Sequence, residues 1–573
     1  MKLRSLGIWG LGRRAPEATR SPVCTNHVRT RLAALLSFGV VTSLIGACAP
    51  VPRDFGSGGQ GGSGGMSQVC EANTSEPCYS GPAGTEDVGV CKKGTHTCLP
   101  DGTGYGACDG EVVPTAEICT TPIDEGCDGP NPVECPSLNH VWSKSFGGVG
   151  EDLVTAMAVD PTTGDVIATG YFHDTIDFGG GPMASTGNED IFLVRLTADG
   201  NHVWSKRFGD AESQNGRGIA LDASGAIYVV GGMYGSVDFG DGKPVMSKGS
   251  SDVFLAKFDS NGNVIWSRVF GDSSSQEGKS VAVTPTNQVV IAGDFSGFIQ
   301  LTGMELPSNA STDMFVIKLD SSGFDVGAKK YGGPNLDQSY DMTVDSAGAV
   351  ILAGSFSGSA DFGTLGSFPS AGDDDAFVLK LNPDLSESWV RTFGDAMFQR
   401  AGTVVTSPKN DVFVMGDFTG TITLGDGSML TAPPTLRSVY LLSLNTDGAH
   451  RWAKSTGNAQ SFFARQMMTV DPFSQSIVAV GFYDGILDFG GGPLDATATA
   501  IDSFVTKIGW DGTHISSKRF GGPAIDAFFD VGVSATGDVF VGGGHQGPAD
   551  FGGGTLMAPA PDDFQALLMR LLP

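Results

Sequence analysis

The chain has 573 residues, more than one ordinary domain needs and enough for a large core. Its 63 acidic residues against 35 basic ones give a formal net charge of -28, with no cluster of Lys and Arg outside the N-terminus. That argues against nucleic acid, whose binding needs clustered cations, and leaves a surface that stays soluble and attracts cations. Glycine is abundant, 84 residues, and few helical patterns are visible, so the glycines read as turns and strand ends.

In chain order, Arg29 and Arg31 precede an uncharged run of 16 residues, 32–47, rich in Leu, Val and Ala. It is short for a membrane span and suits a signal-peptide core. The run ends Ile45-Gly46-Ala47-Cys48, which resembles a bacterial lipobox, with Ile45 where that motif usually has Leu. The resemblance implies cleavage after residue 47 and a lipid on Cys48; the plain alternative is an ordinary cleavage site. Residues 48–67 read as a tether, because 56–65 is nearly all Gly and Ser. Eight of the ten cysteines (Cys70, Cys78, Cys91, Cys98, Cys108, Cys119, Cys127 and Cys135) fall in 68–136, and none follows. A dense, even-numbered set in a short stretch predicts a disulfide module made in an oxidising compartment, with the pairing open.

From residue 138 the chain is built of repeats. An aromatic-Gly pair recurs at Phe146, Phe208, Phe270, Tyr331, Phe393 and Phe520, with Thr456-Gly457 as a degenerate copy, at spacings of 62, 62, 61, 62, 63 and 64. Each repeat carries four short apolar runs; in one copy these are Gly218–Asp222, Ala226–Gly232, Asp252–Phe258 and Val264–Phe270. β-Branched and aromatic runs bounded by Gly, Asn, Asp and Ser read as strands, and Ser260-Asn261-Gly262 is a hairpin turn. Four strands repeated seven times predict an all-β, seven-bladed propeller over 138–573. The region starts with a fourth-type strand, 140–146, and ends with a third-type strand, 564–571. The N-terminal strand is therefore expected to complete the last blade and close the ring.

These repeats resemble the bacterial β-propeller repeats called SBBP, found in myxobacterial and related surface proteins. The segment with Glu76-Pro77-Cys78-Tyr79 and Glu117-Ile118-Cys119 followed by Asp124-Glu125-Gly126-Cys127-Asp128-Gly129 resembles a module preceding such repeats in myxobacterial lipoproteins. Related modules are described as metal-binding. The resemblance implies a lipid-anchored protein of the cell surface or outer membrane, with the membrane reached only through the lipid.

Each candidate for chemistry has a structural reading beside it. Trp142, Trp204, Trp266, Trp389 and Trp452 share one repeat position, which indicates packing between blades. His140, His202, His450 and His514 share another and cannot converge on one metal. Asp190, Asp252, Asp313, Asp375, Asp502 and Asp562 recur before a strand aromatic. Asp177, Asp238, Asp361, Asp488 and Asp550 open Asp-Phe-Gly. Short aspartates cap turns; the functional reading is Ca²⁺, with Asp373, Asp374 and Asp375 the densest spot, and Asp124, Glu125 and Asp128 a second one. Glu277-Gly278-Lys279-Ser280 ends like a phosphate loop but lacks the earlier glycine. Gly354-Ser355-Phe356-Ser357-Gly358 has Phe where a nucleophile elbow needs Ser. No acid/base pair is recognisable. The expectation is a non-catalytic binding or scaffold module for carbohydrate or protein, with contacts in the Gly-rich loop between second and third strands, such as Tyr234–Ser251. The alternatives are a hydrolase or lyase using blade-specific residues near the axis (Arg465, His545, Gln546) and a purely structural spacer.

Overall fold

The structure, a computed structural model, describes residues 69–82, 84–114, 127, 138–433, 436–459, 467–496, 500–560 and 563–573. They form two units. In the smaller, Ser75–Cys78 pairs with Gly94–Thr97, and disulfides join Cys70 to Cys98 and Cys78 to Cys108. Cys91 and Cys127 are disulfide-bonded as well. These bonds fit an oxidising environment. Cys48, Cys119, Cys135, Asp124, Glu125 and Asp128 lie outside the described residues. Among the described residues no helix is long and apolar enough to cross a membrane.

The larger unit is the seven-bladed propeller. Six blades are antiparallel sheets in sequence order. In the first, Leu153–Val159 pairs with Val166–Phe172, then Asp190–Leu196, then His202–Phe208. The seventh runs Asp526–Val533, Val539–Gln546, Phe564–Leu571, and its fourth strand is His140–Phe146, paired from His140 opposite Leu571 to Phe146 opposite Ala566. The expected closure by the N-terminal strand is thus observed. First strands touch those of the next blade all the way round, and Asp526–Val533 touches Leu153–Val159 to complete the cycle. The second strands of the first two blades are buried along their whole length, and the core divides into seven apolar clusters, one at each junction between blades.

The repeated residues explain the junctions. Each fourth-strand tryptophan donates its indole N–H to a turn carbonyl of the next blade: Trp204 to Ser260 at 3.2 Å, Trp389 to Thr446 at 3.0 Å, and, across the closure, Trp142 to Ala198 at 2.9 Å. The segment between second and third strands is not a free loop. It is a short hairpin, Ser236–Val237 against Val245–Met246 in the second blade, because its apolar residues (Val237 and Phe239 there, Ile176 and Phe178 in the first) are buried in the junction. The Asp-Phe-Gly aspartate caps this hairpin: Asp177 Oδ1 accepts the N–H groups of Gly179 (2.7 Å) and Gly181 (3.0 Å), and Asp488 does the same for Gly490 and Gly492. The hairpins of the third and fifth blades, which have Gln300-Leu301 and Thr423-Leu424 instead, lose the aspartate and the phenylalanine together.

The other repeated aspartate sits at a joint. Asp190, on the third strand of one blade, meets Gln214, which opens the first strand of the next. The glycine of the aromatic-Gly pair lies between them: a Cβ on Gly209 would fall 2.4 Å from Asp190 Oδ1 and 2.6 Å from Gln214 Oε1. Only a Cα–H fits there, and it faces an oxygen that has no other donor. Asp252 with Gln276 repeats this joint around Gly271, and Asp375 lies against Gly394 in the same way. At the closure the roles swap. Strand register puts Gln565, not Asp562, at the repeated position, opposite Asp152 across Gly147; Asp562 itself lies outside the described residues. Two joints hold acid pairs instead, Asp313 with Asp337 and Asp502 with Asp526.

Gly209→Ala forces a Cβ into both carboxylate and amide, so the unfolding free energy is expected to fall by about 1–3 kcal/mol, read by urea denaturation. The acid joints give a pH signature. Burial, aided by the charge of Asp313, pushes Asp337 up to about 7, and burial with Asp502 pushes Asp526 up to about 7. Both pKa values lie above the usual 3.8, so the folded state holds extra protons. Stability from these groups is complete below that value and is lost as pH rises through 7. An Asp337→Asn/Asp526→Asn variant keeps its donors without a proton. Its Tm relative to the parent chain should rise from pH 4 to pH 8 in a calorimetric series; a difference independent of pH would refute the assignment.

Candidate functional site

At one mouth of the axial channel the residue changes from blade to blade. Four repeat positions meet there: the second residue of the first strand, a bulged residue two further on, the penultimate position of the second strand, and the residue before the third strand. The bulge recurs in six blades, where ladder pairing skips Thr155, Arg217, Lys279, Tyr340, Gly402 and Phe529. A bulge re-aims a side chain away from the regular pleat. These positions are half-exposed in the second, third and fourth blades.

The resulting side chains, joined in the first blade by Glu151 just before the first strand and His173 just after the second, form an almost continuous polar belt. In the first blade, Tyr171 donates to Glu151 Oε1 at 2.6 Å and His173 Nδ1 to the Glu151 carbonyl at 2.8 Å. Glu189 stands beside them. Burial raises its pKa, and Glu151 adds to the rise against His173 and Arg217. Arg217 Nε bonds Asn215 Oδ1 (3.1 Å) and Nη2 pairs with Glu277 Oε1 at 2.5 Å, linking second and third blades. Lys279 pairs with Asp294, donates to the Ser339 carbonyl at 3.0 Å, and lies 5.4 Å from the Tyr340 ring. Asp294 Oδ1 also takes the Ser339 N–H at 2.8 Å. The Arg400 guanidinium also lies over the Tyr340 ring, 5.6 Å from its centre. Arg400 pairs with Asp417, which is fully buried and takes Arg437 Nη1 at 3.0 Å. Across the ring the belt becomes aromatic, with Phe482 against Phe529 at 5.6 Å.

Of the residues singled out from sequence, few lie here. Glu277 and Lys279, from the false phosphate loop, are on the first strand of the third blade and join the belt. Ser355, from the false nucleophile elbow, accepts or donates a 3.2 Å bond with the Tyr340 hydroxyl. His545 is a correction: it is fully buried in the seventh blade, bonded to Ser145 Oγ at 2.8 Å, because the closing strand covers it. Gln546 ends the same strand, and Arg465 lies outside the described residues. Asp373, Asp374 and Asp375 are not gathered into a ligand set, since successive strand residues face opposite ways. Asp375 is buried with Oδ2 on the Ala371 N–H (3.0 Å), while Asp374 faces Arg400 and Arg437. No group of three or more His, Cys, Asp or Glu among the described residues is placed to hold a metal. The belt has no local signature in the sequence, because its members are about 62 residues apart and follow no shared motif. Aligning the seven repeats and looking for positions that fail to repeat is the signal that finds them.

No protein-family model matches the chain. It is 29% identical over 272 residues to Regulatory protein FlaEY of Caulobacter vibrioides, covering 44% of this chain and 27% of that protein. It is 27% identical over 155 residues to an uncharacterised WD repeat-containing protein, L264, of Acanthamoeba polyphaga mimivirus, covering 24% of this chain and 11% of that one. The matched stretch is thus well under a third of either relative's length. Solved structures similar to it include the Neurospora crassa Pan2 WD40 domain, with a TM-score of 0.36 and 11% identity over 75% of this chain and 97% of that one. Another is a functionally unknown protein from Desulfotomaculum acetoxidans, with a TM-score of 0.34 and 12% identity over 64% and 86%. The fold therefore rests on the strand pairing itself.

Burial decides which belt residue matters most to stability. Arg400→Met leaves Asp417 in the core with half its partners, which predicts a loss of about 3–5 kcal/mol. Arg217→Met breaks a half-exposed pair and should cost less than about 1 kcal/mol. Parallel urea titrations compare the two.

Proposed function

We propose that the propeller is a non-catalytic binding module, carried outside the cytoplasm on a lipidated Cys48 and the Gly/Ser tether, that holds a carbohydrate or protein ligand at the axial mouth. The observation that carries this reading is the concentration of blade-specific side chains at that mouth, on a scaffold whose other positions repeat. A ring that only had to pack would need no such variation, whereas recognition of an asymmetric ligand requires different groups on different blades. The disulfide-bonded N-terminal unit and the signal-like N-terminus support an exported setting. A purely structural spacer gives no reason for the belt.

One observation favours an enzyme instead. Glu189, whose pKa is raised by burial, stands beside Glu151, and two neighbouring carboxyl groups are the usual equipment of an acid/base pair. A glycan array and a protein pull-down from native surface extracts, both on the full chain, separate the readings. The binding module predicts saturable capture without turnover, weakened at least tenfold by Arg217→Glu with Lys279→Glu. Release of shortened glycan, lost in Glu189→Gln, would move the assignment to a hydrolase or lyase. Capture unaffected by the belt variants would contradict a site at this mouth.

A further inference from the structure

We infer that the open cleft between the third blade and the fourth-blade hairpin is a second carbohydrate site, which takes one neutral sugar unit through Asn309, Ser359, Ser367 and Asp361. It shares no residue with the axial belt and goes beyond the axial-mouth reading.

The cleft has a volume of about 290 Å³, near the lower end, about 300 Å³, of small-molecule sites. It is lined by the Gly332-Gly333-Pro334 link that leaves the third blade, by Asn309 before that blade's third strand, and by Ser359, Asp361 and Ser367 of the hairpin. Asn309, Pro334, Asp361 and Ser367 are exposed and Ser359 is half-exposed, so a ligand reaches all of them. The hairpin differs from its counterparts in other blades. The second and third strands of the fourth blade run on into it, as Val350–Asp361 and Ser367–Leu381, with Asp361 opposite Ser367. Three contacts seat it. Asp361 and Gly332 exchange backbone hydrogen bonds (3.1 and 3.2 Å), a Cβ on Gly333 would run into the Ser359 carbonyl, and Thr364 donates to Glu387 Oε2 at 2.8 Å. Asn309 is fixed as well: its Nδ2 donates to the Gly332 carbonyl at 3.2 Å and its Oδ1 accepts from Lys330 at 2.6 Å. The walls are set before a ligand arrives, which lowers the cost of binding.

What these bonds leave over selects the ligand. Asn309 Nδ2 keeps one N–H. The Ser359 and Ser367 hydroxyls bond each other at 2.8 Å, which leaves one O–H between them and lone pairs to accept. Asp361 Oδ1 takes the Gly363 N–H at 2.9 Å, one cap where Asp177 and Asp488 have two. Its Oδ2 takes no hydrogen bond from any described residue. Donors and acceptors thus line one accessible cleft. A metal cation such as Ca²⁺ takes about six to eight oxygens, but Asn309 Oδ1 is spent on Lys330 and the Gly332 carbonyl on two N–H groups. An anion meets the Asp361 carboxylate, while Lys330 is already committed to Asn309 and to the Pro307 carbonyl at 2.6 Å. Neighbouring hydroxyls of a sugar serve both sets, donating to Asp361 and accepting from Asn309 and the serine pair. The exposed Pro334 ring gives the C–H face of the sugar an apolar neighbour.

The test is saturation-transfer difference NMR on the full chain with the methyl glycosides of glucose, galactose, mannose and N-acetylglucosamine, and with galacturonate and glucosamine as charged probes. The site predicts saturable binding of at least one neutral glycoside in preference to both charged probes. Asp361→Asn, which keeps an oxygen for the Gly363 N–H, should weaken that binding at least tenfold. Ser367→Trp, which fills the cleft from an exposed position, should abolish it. Unfolding midpoints matching the parent chain show that both variants fold. Arg217→Glu with Lys279→Glu should leave the binding unchanged. Preference for a charged probe would overturn the site, as would neutral-sugar binding unchanged in either cleft variant. If binding survives both cleft variants but is lost in Arg217→Glu with Lys279→Glu, the sugar sits at the axial mouth: the cleft site falls and the mouth reading stands. Silence with every glycoside overturns the cleft site as well, while saturable capture on the glycan array or in the pull-down would still uphold the mouth.

Discussion

The strand His140–Phe146 comes from one end of the repeat region and pairs with Phe564–Leu571 at the other, and every other feature of the ring presupposes that pairing. Without it the seventh blade would present the third strand as an open edge, and the first blade would lose Trp142, which reaches across to the Ala198 carbonyl. An open edge is a template for association. Pairing the two ends removes it and brings Asp526–Val533 against Leu153–Val159, so that seven first strands surround one axis. A common axis is what allows residues about 62 positions apart to act as one surface.

Around that axis the fold separates two kinds of position. At the joints the chemistry is fixed by geometry. An aspartate, a glutamine or a second acid, and a glycine with no room for a Cβ recur from blade to blade. The degenerate Thr456-Gly457 copy shows the coupling, because the same blade has Ser438 where its neighbours have the aspartate. Buried basic residues on the third strands do similar work. Lys380 pairs with Asp345 at 2.9 Å and Lys507 with Asp471 at 2.9 Å, while the fifth blade has replaced both partners, with Ser443 and Ser407. Paired replacement is what burial demands, since one charge left alone in the core costs several kcal/mol. At the mouth no such rule holds the residues constant, and they vary.

Much of this was legible in the sequence. The spacing of Phe146, Phe208, Phe270 and their successors yields the blade number, and the strand types at the two ends yield the closure. The turn-capping role of Asp177 and its copies, and the packing role of the tryptophans, follow from recurrence alone. Three things were not legible. Gln565 holds the place that spacing assigns to Asp562, because a register offset of three residues is invisible without the ladder. Tyr234–Ser251 reads as a Gly-rich loop, yet Val237 and Phe239 drive it into a hairpin whose apolar side is buried. Most important, the belt from Glu151 to Arg437 has no local pattern: Arg400 and Tyr340 meet only because neighbouring blades place equivalent positions side by side.

Function inherits this logic. A scaffold of repeated joints presents a mouth of unrepeated groups, each of whose four Lys and Arg side chains is paired with or beside a carboxylate. The most direct measurement is hydrogen exchange followed by mass spectrometry on the full chain. The account predicts that amides of His140–Phe146 are protected to the same degree as those of His202–Phe208, the equivalent outer strand of the first blade. Exchange of 140–146 at the rate of an unpaired segment, while 202–208 stays protected, would mean the ring is not closed, and the axial mouth would not exist as a single surface.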